Sequence, residues 1–118
     1  MSPLPFEVQS EVEQEVRVIT VSGELDLDTA PRLAEALEVD ASALLIDLSE
    51  CEFIDSTGIA LIVRAAQRLN NDESTAHGGG FALCCVNDQV RRLFDVTGLG
   101  DSIPLHDSRQ DAIAGLRS

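Results

Sequence analysis

The stretch from Cys51 to Leu69, CEFIDSTGIALIVRAAQRL, places Asp55-Ser56-Thr57-Gly58 directly behind the apolar pair Phe53-Ile54 and ahead of an amphipathic run of helix formers. A serine hydroxyl at that point can cap a helix, act as a nucleophile, or accept a modifying group. The nucleophile is the easiest to test. A nucleophile elbow needs glycine two residues before and two after the serine, and here Ile54 stands first and only Gly58 fits. A triad needs a histidine base. His77 falls in a glycine-rich loop and His106 near the last strand, and both read as exposed loop residues. Asp-Thr/Ser-Gly of the aspartic-protease kind is also absent, because Ser56-Thr57 inserts one residue too many. The chain is not expected to be an enzyme.

Other chemistries fare no better. Asp47 ends LLID much as a phosphoacceptor aspartate does in a receiver domain, but a receiver also needs a lysine after its last strand, and no lysine occurs. Asp47 reads instead as a turn cap or an anchor for the loop before Ser56. No G-x-x-x-x-G-K-[ST] or G-x-G-x-x-G occurs, and Gly78-Gly79-Gly80 precedes a strand and not a helix. Asp26, Asp28, Asp47 and Asp55 lie on separate connections and read as solvated loop residues more readily than as a cation site. Neither a metal nor a cofactor is expected. Cys51, Cys84 and Cys85 have no metal-ligand spacing. On a strand, Cys84 and Cys85 point to opposite faces, as small buried hydrophobes in a reducing compartment.

Charge narrows the partners. The net charge is −13, from 21 acidic residues against eight basic ones, all arginine. Phosphate backbones and anionic membranes need basic patches, so neither nucleic acid nor a membrane is an expected partner. No apolar run approaches the ~20 residues that span a bilayer, and MSPLPFEVQS lacks the basic head and apolar stretch of a signal peptide. A cytoplasmic protein is expected.

The elements that position Ser56 alternate between strand and helix. Leu4, Phe6 and Val8 suggest a first strand, EVEQE a polar turn, and VRVITVSG at 16–23 a second strand able to form a hairpin with the first. Asp28 or Thr29 caps a helix with Pro31 in its first turn and Ala30, Leu33, Ala34 and Leu37 at helical spacing. ALLIDLS at 43–49 is a continuous apolar run, the mark of a strand buried on both faces. The helix after Ser56 carries Ile59, Ile62, Val63, Ala66 and Leu69 on one face. NNDESTAHGGG is a polar loop, GFALCCV a buried strand, and Asn87 caps a helix with Val90, Leu93 and Phe94. A short strand at 103–105 precedes a last helix opened by Ser108, with Asp111 three residues on. The order β-β-α-β-α-β-α-β-α, with short connections, predicts one α/β domain over residues 1–118. Its sheet is mixed and mainly parallel, with four or five strands and the end strands at the edges.

Ser56 then stands between two uses. As a cap its hydroxyl accepts from a free backbone N–H, worth ~1 kcal/mol. As a phosphoacceptor it sits where the N–H groups of Thr57, Gly58 and Ile59 and the positive end of the helix dipole tolerate an anion. Gly58 removes side-chain bulk where a modifying enzyme approaches. A phosphate adds about −1.5 to −2 charges beside Glu50, Glu52 and Asp55, so folding survives while docking to a partner weakens.

These residues carry a resemblance. GELDLDTAPRLAEAL resembles the G-x-L-D segment, and LLIDLSECEFIDSTGIALIVRAAQRL the buried strand, Asp-Leu-Ser turn and Asp-Ser-Thr-Gly helix start, of the STAS-domain anti-anti-sigma factors. VNDQVRRLFDVTGLGDSIPLHDSRQDAIAGL is similar to their C-terminal third, and the match runs from about Phe6 to Leu116. The resemblance implies a STAS fold with about four helices on one side of the sheet. It implies an anti-sigma factor antagonist whose unphosphorylated form binds an anti-sigma factor that is also a serine kinase, freeing the sigma factor. That kinase phosphorylates the matching serine, Ser56, and breaks the complex; a serine phosphatase restores it. Asp55, Thr57 and Gly58 complete the phosphosite loop, and Ser56 becomes both cap and switch. Asp26 of the G-x-L-D segment, with Leu61, Arg64 and Arg68 on the helix surface, are the candidates for partner contact. The other reading of the same fold is a constitutive scaffold or small-ligand module without phosphorylation.

Overall fold

The computed structural model describes residues 5–38, 43–70, 80–98 and 103–117. The elements run β1 (Glu7–Glu13), β2 (Val16–Leu25), α1 (Ala30–Ala36), β3 (Ala43–Ile54), α2 (Ser56–Asn70), β4 (Gly80–Cys84), α3 (Asp88–Thr97), β5 (Leu105–His106) and α4 (Arg109–Arg117). The expected α/β order stands. Several bounds move. Residues 11–13, read as turn, belong to β1, and the hairpin closes through Gln14 and Glu15 alone, both at positive φ (52° and 71°). Such a two-residue turn matches the twist of the flanking strands. The central strand β3 runs on to Ile54, because residues 50–54 continue to pair with residues 22–25 of β2 through two register shifts. The last strand lies at Leu105–His106, two residues later than expected at its start. His77, Gly78 and Gly79 lie outside the described residues, and Gly80 opens β4.

The sheet has the order β1-β2-β3-β4-β5. Only the β1–β2 pair is antiparallel; β2–β3, β3–β4 and β4–β5 are parallel. Each crossover steps one strand in the same direction, so right-handed connections place α1, α2 and α3 on one common face. There Leu33, Ile62, Ala66 and Phe94 pack on Ile19, Val21, Leu44, Ile46, Phe81 and Leu83. No such rule governs α4, which follows β5 and is not a crossover between two strands of this sheet. The strands alternate, and their other face carries Val16, Val18, Leu45, Ala82 and Cys84. That apolar surface needs a cover, and Ala112 and Ile113 of α4 supply it. The expectation of all helices on one side is therefore corrected: three lie on one face and α4 on the other.

On the α4 face sits the one buried charged residue among those described, Asp47, 4% exposed. Its Oδ1 accepts from the Ser49 amide at 2.9 Å, and its Oδ2 from Arg109 Nε and Nη2 at 3.0 and 2.8 Å. Arg109 also donates to Glu11, Glu13 and Thr20 at 3.1 to 3.3 Å. One guanidinium thus ties α4 to β1, β2 and β3. The expectation of a turn cap or loop anchor is corrected: Asp47 lies inside β3, at a register shift against β2, with the Ser49 amide and an arginine as partners. Burial alone pushes the Asp47 carboxyl up; hydrogen bonds from Ser49 and Arg109 and the arginine charge outweigh it and hold the group below the ordinary carboxylate value.

The cysteines part company with expectation. Cys51 and Cys84 are buried, but Cys84 and Cys85 do not point to opposite faces. Cys85 has φ +68°, which breaks the strand alternation and returns its side chain to the α4 side. His106, expected in an exposed loop, is half-buried in β5 with its ring against Gly115 of α4.

Removing Arg109 leaves a buried carboxylate without its counter-ion. Arg109→Ala is expected to cost about 3 kcal/mol in urea unfolding. The paired replacement Asp47→Leu with Arg109→Met is expected to recover most of that. A depressed pKa stabilises the fold above the unfolded value and is lost as pH falls through the folded one. Stability of the wild type should therefore decline below about pH 4, and Asp47→Asn should decline less steeply over the same range.

Candidate functional site

The site grows from the junction of β3 and α2. Ile54 is buried at the strand's end, and the Asp55 amide donates to the Leu25 carbonyl at 3.0 Å, carrying the β2–β3 ladder one residue further. Asp55 then turns the chain. Its Oδ1 accepts from the Gly58 amide at 3.0 Å and its carbonyl from the Ile59 amide at 3.0 Å. This is the geometry of an N-cap reaching the third helical residue. The cap is Asp55, and the expectation that Ser56 caps the helix is corrected: Ser56 is already the first helical residue, exposed, and its hydroxyl bonds to none of the described residues. The supply of free donors is also smaller than expected. The amides of Gly58 and Ile59 are taken by Asp55, which leaves those of Ser56 and Thr57.

Gly58 serves a different end from the one expected. It is buried, and a Cβ there would lie 2.8 Å from Leu25 Cγ and 2.9 Å from Ile54 Cγ2. The glycine lets the first turn of α2 press onto the ends of β2 and β3; it does not open room on the outer surface. Thr57, next to it, is half-buried.

Asp26 organises the β2–α1 loop. Its Oδ1 accepts from the amides of Asp28 and Thr29 at 3.0 and 3.1 Å and from the Thr29 hydroxyl at 3.1 Å. Thr29 is the α1 N-cap residue, yet its side chain makes no cap bond; its hydroxyl is spent on this loop. With Asp26 turned inward, Leu27 is carried outward and is 70% exposed. Leu27, Pro31, Thr57, Ala60, Leu61 and Arg64 line a groove of about 260 Å³ between α1 and α2. Leu61 and Arg64 thus meet on one surface, as expected. Arg68 joins Leu61 and Arg64 in an adjoining hollow of about 220 Å³, where it donates to the Leu37 carbonyl at 2.7 Å and closes the C-terminal end of α1. A second groove, about 290 Å³, lies between the end of β3 and α3, lined by Phe53, Ile54, Val90, Arg92, Leu93 and Val96. Phe53 is 44% exposed and Val96 79%. In the chain, Ser56 falls between the residues of the two grooves.

Leu27, Phe53 and Val96 escaped the sequence reading. Leu27 offers a signal, an apolar residue between two aspartates in a loop; Phe53 and Val96 offer none, because they sit in the chain beside core residues. Asp26, Asp28, Asp47 and Asp55 do not converge. Asp26 and Asp55 are spent on the loop and the cap, and Asp47 on Arg109, as given above. Among the described residues, the group spaced to hold a metal ion is Asp47 with Cys84 and Cys85. The described histidine, His106, lies against α4 on the face away from α2 and cannot serve Ser56 as a base.

Gly58→Ala gains helix propensity, up to about 1 kcal/mol, but drives a methyl into Leu25 and Ile54. A net loss of about 1–2 kcal/mol in thermal or urea unfolding is expected. Asp55→Ala should cost about 1 kcal/mol through the lost cap, and Ser56→Ala less than about 0.5 kcal/mol.

Comparison with known proteins agrees with this geometry. The STAS domain family model matches residues 7–112. An anti-sigma-B factor antagonist of Listeria monocytogenes is 40% identical over 91 residues, 74% of this chain and 75% of the relative. An anti-sigma F factor antagonist of Paenibacillus polymyxa is 29% identical over 116 residues, 94% of this chain and 95% of the relative. A crystal structure of an anti-sigma factor antagonist from Mycobacterium paratuberculosis superposes with a TM-score of 0.85 at 30% identity, covering 97% of this chain and 96% of that one. These names describe antagonists, not enzymes, in keeping with the non-catalytic reading of Ser56. No described helix is long and apolar enough to cross a membrane. With its family model spanning all five strands and reaching into the last helix, the chain belongs to the STAS domain family.

Proposed function

We propose that the chain is an anti-sigma factor antagonist whose binding is switched by phosphorylation of Ser56. The unphosphorylated form binds an anti-sigma factor that is itself a serine kinase and frees the sigma factor. Phosphate on Ser56 ends the complex, and a serine phosphatase restores it. The observation that carries this reading is the division of labour in the first turn of α2. Asp55 provides the cap, so the Ser56 hydroxyl is exposed and costs the fold nothing to modify. The names of the relatives from Listeria and Paenibacillus support the antagonist role.

The surface around Ser56 suits a partner. Leu27, Leu61 and the Phe53–Val96 groove offer apolar contact beside the chain neighbours of the serine, Thr57 in one groove and Ile54 in the other. A phosphate at the first helical position meets the free amides of Ser56 and Thr57 and the positive end of the helix dipole. Folding therefore tolerates it. A partner seated over the same turn must accommodate about −1.5 to −2 added charges next to Glu52 and Asp55, and loses affinity. Ser56 is the acceptor in preference to Thr57, which is half-buried in the groove wall.

Titration with the host's anti-sigma kinase tests this. Ser56→Ala should bind as the unphosphorylated wild type does and accept no phosphate from ATP. Ser56→Asp should bind at least tenfold more weakly, about 1.4 kcal/mol, at unchanged thermal stability. Leu27→Asp should weaken binding similarly. Equal binding by Ser56→Ala and Ser56→Asp would favour the constitutive scaffold or small-ligand module.

A further inference from the structure

The α4 face holds a cluster that the switch does not use. Cys84 is fully buried at the end of β4, packed with Ala112 and Ile113 of α4. Cys85 is half-buried. In a regular strand its side chain would face α1–α3, but at φ +68° it turns back. The two sulfurs and an Asp47 carboxylate oxygen lie within 4.8 Å of one another. A left-handed conformation is unfavourable for an L-residue, and glycine or asparagine would meet it more readily. Here the turn has a chemical consequence: adjacent thiols share one pocket, one of them reachable from outside.

The donors S, S and O would suit a soft metal ion, but the carboxylate is already committed. Its Oδ1 holds the Ser49 amide and its Oδ2 the Arg109 guanidinium. A cation beside that arginine would be repelled. Two thiols within 4.8 Å of one another, one of them half-buried, suit closure to a disulfide instead.

We propose that Cys84 and Cys85 are a modification site, closing to a vicinal disulfide when a hydroperoxide reaches Cys85. The Cys85 sulfur attacks the peroxide oxygen and the O–O bond breaks. The departing oxygen takes a proton and leaves as water, and Cys85 becomes a sulfenic acid. The Cys84 sulfur then attacks Cys85 Sγ, the S–O bond breaks, and a second water leaves with the remaining thiol proton. Two thiols and one hydrogen peroxide give one disulfide and two waters; the sulfurs lose two electrons and the peroxide gains them. Burial pushes both thiols up, with Asp47 adding to it and Arg109 opposing it, so the resting pair stays protonated; the Cys85 proton passes to the departing oxygen and closure is slower than at an activated thiolate. Cα atoms of adjacent residues are only about 3.8 Å apart, short of the roughly 4.4–6.8 Å of relaxed disulfides. The eight-membered ring is therefore strained and returns to the dithiol in the presence of a small thiol. Because Cys84 lies under α4 and beside Arg109, ring closure acts on the contact that seats this helix.

The reduced full-length protein, exposed to hydrogen peroxide and analysed by intact mass and peptide mapping, tests the site. The expected product has lost two hydrogen atoms, with the bond between Cys84 and Cys85 and Cys51 still open to alkylation after unfolding, and dithiothreitol reverses it. Cys51→Ser should behave as wild type. Cys84→Ser should lose the bond and leave a Cys85 sulfenic acid that dimedone traps; should that variant not fold, the wild-type peptide map alone decides. The proposal is overturned by a linkage through Cys51, by a disulfide-linked dimer, or by oxygen added to Cys85 with Cys84 still a thiol. It is equally overturned if both thiols survive a peroxide dose that oxidises the urea-unfolded chain.

Discussion

Asp55 is held from two sides, its amide by the Leu25 carbonyl and its carboxylate by the Gly58 amide, while Gly58 has no Cβ to keep α2 away from Leu25 and Ile54. The local geometry of the site depends on this clamp. It brings the first turn of α2 against the ends of β2 and β3 and fixes the direction of the helix. It frees the next hydroxyl, that of Ser56, from any structural duty. A serine that also capped the helix would couple modification to helix stability, since a phosphate in its place would have to recreate the cap bond. With the cap one residue earlier, the two functions are separate. The outer surface can gain charge while the inner contacts stay as they are.

Chain direction accounts for the helix layer around the site. Three successive right-handed crossovers place α1, α2 and α3 side by side, so the loops after β2 and β3 open at the same end of the sheet. That brings Leu27 from one loop near Thr57 and Ala60 at the start of α2, and Phe53 at the end of β3 near Val96 of α3. Apolar side chains that are far apart in sequence thereby gather in two grooves that include chain neighbours of Ser56, Thr57 in one and Ile54 in the other. Exposed apolar residues gathered in this way mark interaction surfaces more often than scattered ones do.

The other face is organised by charge. Asp47 is tolerated inside because its lone pairs are filled by the Ser49 amide and by two nitrogens of Arg109, and a buried carboxylate without such partners would cost several kcal/mol. Arg109 reaches three strands, so the short helix α4 is placed by a polar hub as well as by Ala112 and Ile113. The left-handed turn at Cys85 brings a second thiol to this hub. The fold thus keeps apart an exposed hydroxyl at the start of α2 and a thiol pair on the α4 face.

By itself the sequence determined the order of elements, the parallel core and the Asp-Ser-Thr-Gly helix start. Apolar periodicity, the Asn87 and Ser108 caps and the Asp-Ser-Thr-Gly start are local properties, set by residues within a few positions of each other. Adjacent elements could also be ranked by burial, since β4 is a run of wholly buried residues. What only the tertiary structure decided rests on distances between residues remote in sequence. Whether Asp55 or Ser56 caps α2 depends on where the Leu25 carbonyl holds the chain. Gly58 is needed because Leu25, 33 residues earlier, occupies the space a Cβ would fill. The side taken by α4 depends on which strand face still lacked a cover, and the partner of Asp47 lies 62 residues away in Arg109. Periodicity reports that a face is apolar; it carries no record of what that face meets.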